Sequence, residues 1–397
     1  MKVFQINVDW DSGGPGSIAK GISDAIIAEG GESYIAYGRG KMDSNVHSYK
    51  IGSELSEYID VFEARLFDNA AFGTKKGTIE LVNVIKTVNP DIVQLHTLLG
   101  YYINIEVLFD FLRKTSIPTI WTIHDCWAFT GHCINFERIN CKKWIDGCNH
   151  CPYKKEYPKS VLLDRSAQNY AKKKALFFDM KNLTLVSPSL WLAELIKQSF
   201  LKYIPLQVIQ NGIDLKEYKP TKSNLRNRYH LENKKVLLAV AFMWNQMKGD
   251  ELLEKIANQL DDSYRIVMIG NKRFIPRDKK IISIPPTSNK DDLRKWYSAA
   301  DIFINPTLGD NFPTVNIEAL ACGTPVVTND TGGSPEIAGN ECGKIVYTKS
   351  ADEFVQKIED CLDQKIASEK CLARAEQFNA DCIYDHYVDL YHSVLVN

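Results

Sequence analysis

The chain has 397 residues, and its 48 Lys and Arg nearly balance 49 Asp and Glu to leave a net charge of −1. At roughly 150 residues per domain this length suits two or three domains, and a composition 45% apolar and 24% charged excludes a mostly disordered or fibrous chain. The charge balance removes any general argument for a nucleic-acid partner, and the longest apolar run, nine residues from Val236 to Trp244, is far short of the roughly 20 a membrane helix needs.

The first residues, Met1 to Val8, alternate like a strand and lack the apolar block of a signal peptide. The expected compartment is therefore the cytoplasm. Further strands are predicted at 33–38, 91–95, 118–123 and 183–187, with helical patterns at 17–29, 79–88 and 105–114. The second half repeats the habit. Strands at 235–242, 265–269, 281–284, 301–304, 325–328 and 344–347 alternate with helices near 250–260, 290–299, 314–321 and 351–363. Such alternation implies parallel sheets with right-handed crossovers. Two sheets fit this length better than one. Pro205 and Pro220 punctuate the stretch between them.

In open parallel sheets, ligands bind beyond the carboxyl ends of the strands. The motifs fall there. Gly13-Gly14-Pro15-Gly16 follows the first strand and lets backbone approach a ligand. The second strand ends at Gly38-Arg39, without the carboxylate that would hold an NAD ribose. His124 ends the strand near 118–123, and His96 follows the strand 91–95, so two imidazoles are placed to face a ligand. The richest segment runs from Pro306 to Val327. A loop carries Asp310, a helix starts at Thr314 and carries Glu318 in its second turn, and Gly323 ends it. A helix start offers free N–H groups to a diphosphate, and Glu318 is spaced to accept from a ribose diol.

This segment resembles the signature of retaining family 4 glycosyltransferases, which have the GT-B fold. That signature is two acidic residues separated by seven others, then an apolar helix, Gly and Pro-Val-Val. Gly13-Gly14, His124, Asn211-Gly212-Ile213-Asp214 and Lys248-Gly249 match the family in the same order. The resemblance implies two Rossmann-like, doubly wound α/β domains facing across a cleft. It places an acceptor-side domain at 1–203 with a Cys-rich insert at 126–151, a nucleotide-sugar domain at 204–380, and a helix from 381 to 397 crossing back. It implies that Lys248 and Thr314, Val315 and Asn316 hold the donor diphosphate and Glu318 the ribose. Asp310 would contact the transferred sugar, His124 would position it, and Gly14 would bring N–H groups to phosphate or acceptor. Two positions depart from the family. Asp310 stands where Glu is usual. Met243-Trp244-Asn245-Gln246-Met247 holds no Arg before Lys248, and Lys272 or Arg273 are the candidates to replace it.

The implied reaction moves a hexose from a UDP- or GDP-hexose to a glycan or lipid-linked acceptor of a surface polysaccharide, with retention and without a catalytic metal. Charge building on the diphosphate leaving group is met by Lys248 and oriented N–H groups. Two other readings stand beside it: a sugar-nucleotide epimerase of the same fold, and a sugar-nucleotide-binding protein with weakened catalysis.

Five of ten cysteines lie between Cys126 and Cys151. Cys148 and Cys151 form a C-x-x-C pair, which with Cys133 and Cys141 has the ligand types of a structural zinc site. His132 is an alternative ligand, and a set of reduced thiols is the other reading. Residues 142–174 hold nine Lys and Arg against three Asp and Glu, ending in Lys172-Lys173-Lys174. They read either as a solvated helix face or as a patch for peripheral contact with an anionic membrane on its inner face.

Overall fold

The computed structural model describes residues 1–10, 13–40, 46–272, 276–287 and 289–396. By their internal contacts the residues form two units. Met1–Gln210 with the C-terminal segment from Ile383 make the first, and Asn211–Cys382 the second.

In the first unit, β1 (Lys2–Asp9), β2 (Glu32–Arg39), β3 (His47–Lys50), β4 (Ile92–Leu95), β5 (Thr119–Thr122), β6 (Leu183–Ser187) and β7 (Leu206–Val208) form a parallel sheet in the order 3-2-1-4-5-6-7. β7 pairs with β6 from Leu206 to Val208, so the first sheet continues past residue 204. Neither β3 nor β7 was legible as a strand. Each has three or four residues, and β3 (His-Ser-Tyr-Lys) has no apolar alternation. The strand order reverses between β1 and β4. A crevice at such a reversal lies beyond the carboxyl ends of those strands.

The second unit repeats the plan. β8 (Lys235–Trp244), β9 (Tyr264–Lys272), β10 (Ile281–Ile284), β11 (Ile302–Asn305), β12 (Val326–Asn329) and β13 (Gly343–Val346) pair in the order 10-9-8-11-12-13, all parallel. Its reversal lies between β8 and β11. The sheet is apolar on both faces, as crossover helices require. Val236, Leu238, Val267 and Ile269 pack into one buried cluster, and their neighbours Leu237, Ala239, Ile266 and Met268 into another. The period-2 alternation of side chains sends adjacent residues to opposite faces.

The final helix spans Ala380–Val396. Its Tyr387 and Tyr391 are buried in the first unit. The Tyr387 hydroxyl lies 3.2 Å from that of Thr122, and Tyr391 donates to Gln94 Oε1 at 3.0 Å. Two parallel-sheet α/β domains of this kind constitute the GT-B architecture. Among the described residues, no helix is long and apolar enough to cross a membrane.

Candidate active site

The first unit places His124 just beyond the end of β5 and His96 just beyond β4. With Asp125 and Trp121 they line one small pocket. His96 Nε2 lies 3.0 Å from Gln5 Oε1, and His96 Nδ1 lies 3.2 Å from His124 Nε2. The Gln5 amide nitrogen donates to Ala19 O, so its oxygen faces His96 and accepts. A neutral His96 therefore carries its proton on Nε2, and its Nδ1 accepts from His124 Nε2–H. Burial pushes both imidazoles toward the neutral form, His124 down to about 3 and His96 well below its ordinary value. His124 is thus a neutral hydrogen-bonding group with a set tautomer. Gln5, in the middle of an apolar strand, was missed; a single buried amide carries no periodicity signal. Burial likewise pushes Asp125 up to about 6, against the backbone N–H of Trp127 and the nearby Lys173.

Gly14 lies at the start of the helix Gly13–Ala28, exposed, with open space where a side chain would be. Gly13 has φ +65°, which glycine alone adopts readily. Arg39 is bound to Glu57 and to Gly100 O.

In the second unit the chain leaves β8, and Asn245 caps the short turn Gln246–Lys248 by accepting from Lys248 N. Gly249 follows with φ +77°, and a side chain there would collide with Pro306 O. That approach sets Lys248 beside the loop after β11. Lys248 Nζ lies 2.5 Å from Asp310 Oδ2, with both side chains partly exposed. The Asp310 loop is braced from behind. Gly333 N donates to Asn311 O at 2.6 Å, and a side chain on Gly332 (φ +54°) would collide with Asp310 O. Gly332-Gly333 were not singled out in the sequence, because their role depends on a loop 22 residues away.

The helix Thr314–Ala321 begins after Pro313 with no side-chain cap. Its first N–H groups, at Thr314 and Val315, are the anion-facing groups of a helix start. Asn316 behaves differently. Its N–H is spent on Pro313 O, and its buried side chain accepts from Asn305 Nδ2. The sequence grouped it with Thr314 and Val315; the structure turns it inward to tie the helix to β11. Glu318 Oε2 accepts from Tyr297 OH at 2.8 Å. Burial raises the carboxyl's pKa, while hydrogen bonds from Tyr297, Thr314 and Tyr218 oppose the shift. In the segment Met243–Met247, which holds no Arg, Trp244 is fully buried and donates to Ile269 O. Lys272, its register partner at the end of β9, is exposed. Arg273 lies outside the described residues.

Cys133, Cys141, Cys148 and Cys151 line one small pocket with His132. Cys133 hydrogen-bonds Cys151, which holds the Cys151 thiol down to about 7, while Gly131 N–H donates to Cys148 Sγ at 3.1 Å. All ten cysteines are free. Among the described residues, no group of three or more His, Cys, Asp and Glu side chains could hold a metal ion. The four-thiolate zinc set read from the spacing is therefore not assembled. His132 instead bonds Asp68 at 2.6 Å. In the lysine run only the central residue is buried, and Lys172 and Lys174 are exposed. Lys173 is fully buried, donates to Trp127 O at 2.6 Å and sits over the Trp127 ring, while Lys172 pairs with Glu106.

Residues 234–364 match the family model "Glycosyl transferases group 1". Along nearly its full length the chain is 25% identical to a putative colanic acid biosynthesis glycosyl transferase, WcaC, of Escherichia coli, covering 99% of this chain and 100% of that one. It is 26% identical over 52% of its length, and 59% of the relative's, to the N,N'-diacetylbacillosaminyl-diphospho-undecaprenol alpha-1,3-N-acetylgalactosaminyltransferase of Campylobacter jejuni. Among solved structures it resembles sucrose-phosphate synthase from Thermosynechococcus elongatus, with a TM-score of 0.73, 14% identity and 99% of each chain covered. It also resembles Anabaena HepE in complex with UDP-glucose, with a TM-score of 0.68, 14% identity, and 99% and 100% of the two chains covered. The fold is that of the GT-B glycosyltransferases. The stretch 234–364 that matches this family model contains Lys248, Asp310 and Glu318.

Proposed function

We propose that the protein is a retaining, family 4 glycosyltransferase that moves a hexose from UDP- or GDP-hexose to a glycan or lipid-linked acceptor in surface polysaccharide biosynthesis. The observation that carries this reading is the arrangement around the helix Thr314–Ala321. An uncapped helix start, the Lys248 ammonium and a hydroxyl-held Glu318 lie in one group 1 domain. Each matches one part of a nucleoside diphosphate sugar. The Thr314 and Val315 N–H groups and Lys248 take the diphosphate, and Glu318 takes the ribose diol.

The chemistry follows from charge. Breaking the glycosidic bond builds negative charge on the diphosphate, which Lys248 and the helix start stabilise. Without donor, Lys248 is neutralised by Asp310. Donor phosphate competes for the ammonium and releases Asp310 to accept from sugar hydroxyls. His124, neutral and with its Nε2 directed to His96, positions the sugar rather than protonating the leaving group. These groups supply the positive charge that a divalent metal would otherwise provide, so catalysis proceeds without one. The names of the two relatives, a colanic acid enzyme and an enzyme acting on a diphospho-undecaprenol sugar, support a polysaccharide and lipid-linked acceptor.

The test is thermal shift against UDP, GDP, ADP and their hexose conjugates. A ligand that binds only the folded state raises the melting temperature by mass action. One nucleotide should stabilise the protein, Glu318→Ala should abolish the shift, and Lys248→Ala should weaken it. No shift with any nucleotide would overturn the donor-site assignment.

A further inference from the structure

The helix Glu54–Phe67 is turned inside out. Leu55, Tyr58, Ile59 and Phe62 recur at i, i+3, i+4 and i+7, the spacing of a core-facing stripe. Yet they are 70%, 75%, 49% and 64% exposed. The opposite face, with Asp60 and Ala64, is buried, and Asp60 accepts from Thr74 N at 3.1 Å. The apolar surface continues beyond the helix. Val161 N donates to Arg65 O at 2.6 Å and Leu163 N to Leu66 O at 3.1 Å. These bonds lay Val161, Leu162 and Leu163, themselves 55%, 62% and 42% exposed, along the helix end. A contiguous exposed apolar patch of this kind marks an interaction surface.

Charge selects the occupant. On the helix, Glu57 is bound by Arg39, Glu54 faces Lys50 at 4.0 Å and Asp60 is buried, which leaves Glu63. In the adjoining loop, Glu156 is bound by Arg138 and Asp164 by the N–H groups of Cys151 and Ser166. The loop's cations are not so engaged. Lys154 Nζ donates only to Leu162 O at 3.2 Å, and exposed Lys155 and Lys159 have no carboxylate partner among the described residues. A two-fold contact between copies would bring these like charges together. An anionic surface would pair them.

We propose that this face of the first unit seats the protein on an anionic phospholipid bilayer. The Leu55–Phe62 stripe and residues 161–163 enter the headgroup boundary, and Lys154, Lys155 and Lys159 meet lipid phosphates. The site is not the Lys172–Lys174 run, whose central lysine is buried. The inference deepens the lipid-linked acceptor reading and rests on it only for its biological purpose. Lipid binding is measured without turnover, so failure here and failure of the donor site are read apart.

The experiment is flotation of the full chain with vesicles of phosphatidylglycerol and phosphatidylethanolamine, against vesicles of phosphatidylcholine alone. The wild type should float with the anionic vesicles, less so at high salt. The pair Tyr58→Ser and Phe62→Ser, and separately Leu162→Ser, should lower the bound fraction about tenfold, as loss of buried apolar area predicts. Lys154→Glu with Lys159→Glu should abolish the preference for anionic lipid. All these side chains are exposed, and an unchanged nucleotide thermal shift would confirm that the variants fold. Absence of wild-type flotation, or equal flotation of the apolar variants, would overturn the proposal. So would a concentration-dependent dimer, seen by sedimentation and lost in the same variants, with no vesicle binding.

Discussion

Glu318 is held by hydroxyls from three different places in the sequence: Tyr297 from the helix before β11, Tyr218 from the segment after Asn211, and Thr314 one turn earlier. Tyr297→Phe removes a donor but leaves the carboxylate, so the donor KM should rise by about tenfold to a hundredfold with kcat less affected, as about 1.5–3 kcal/mol for a hydrogen bond to a charged group implies. Steady-state kinetics in donor concentration check this. At His124, burial holds the imidazole neutral down to about pH 3. The pH profile of kcat/KM should therefore show no inflection near 6.5 that depends on this residue. An inflection there that disappears in His124→Gln would contradict the neutral assignment.

Lys173 gives a stability test with a definite sign. Burial pushes its ammonium down to about 7, although neighbouring Cys148, Cys133, Asp125 and Asp68 favour the charge. The unfolded chain, with an ordinary lysine near 10.5, binds more protons than the folded one between pH 7 and that value. Stability must then rise with pH across this window and fall as pH drops toward 7. The melting temperature of the wild type relative to Lys173→Met should rise from pH 7 to pH 8.5. A flat difference would show that Lys173 titrates normally.

At the scale of elements, function depends on strand ends meeting braced loops. Gly332 has φ +54° and lies against Asp310 O. Gly332→Ala should destabilise the protein by more than about 1 kcal/mol, because alanine disfavours that conformation and its Cβ displaces the loop. Nucleotide binding should weaken more than a distant substitution of equal cost would cause. Chemical denaturation and titration of nucleotide into the folded variant separate the two effects. Much of this scale was legible. β8, β9, β11 and β12 were found within a few residues, since buried parallel strands are apolar runs. The helix Glu54–Phe67 was not: its apolar stripe points outward, and its N-terminus rests on a Ser53–Ser56 capping box rather than on core packing. The tie between the Asn316 side chain and Asn305 was not legible, because position in a helix start says nothing of which way a side chain faces.

The whole molecule depends on its last helix. Tyr387 and Tyr391 are fully buried in the first unit, and Gln94 Oε1 accepts from Tyr391. Tyr391→Phe strands that buried oxygen and should cost about 1–3 kcal/mol. Truncation after Cys382 removes both tyrosines and should unfold or aggregate the first unit; circular dichroism and sedimentation would read this.

The amino-acid order by itself determined the two parallel sheets, most of their longer strands and helices, and the run of Lys248, Asp310 and Glu318, because periodicity and local spacing are written along the chain. Only the tertiary structure decided what lies across it. It set the Gln5–His96–His124 chain, the brace of Gly332 and Gly333 behind Asp310, and the hydroxyls around Glu318. It also buried Lys173, left the four cysteines short of a metal site, and turned an apolar helix stripe to solvent. These are relations between residues tens of positions apart. Burial, tautomer and charge partner belong to the packed environment rather than to the residue that the sequence names.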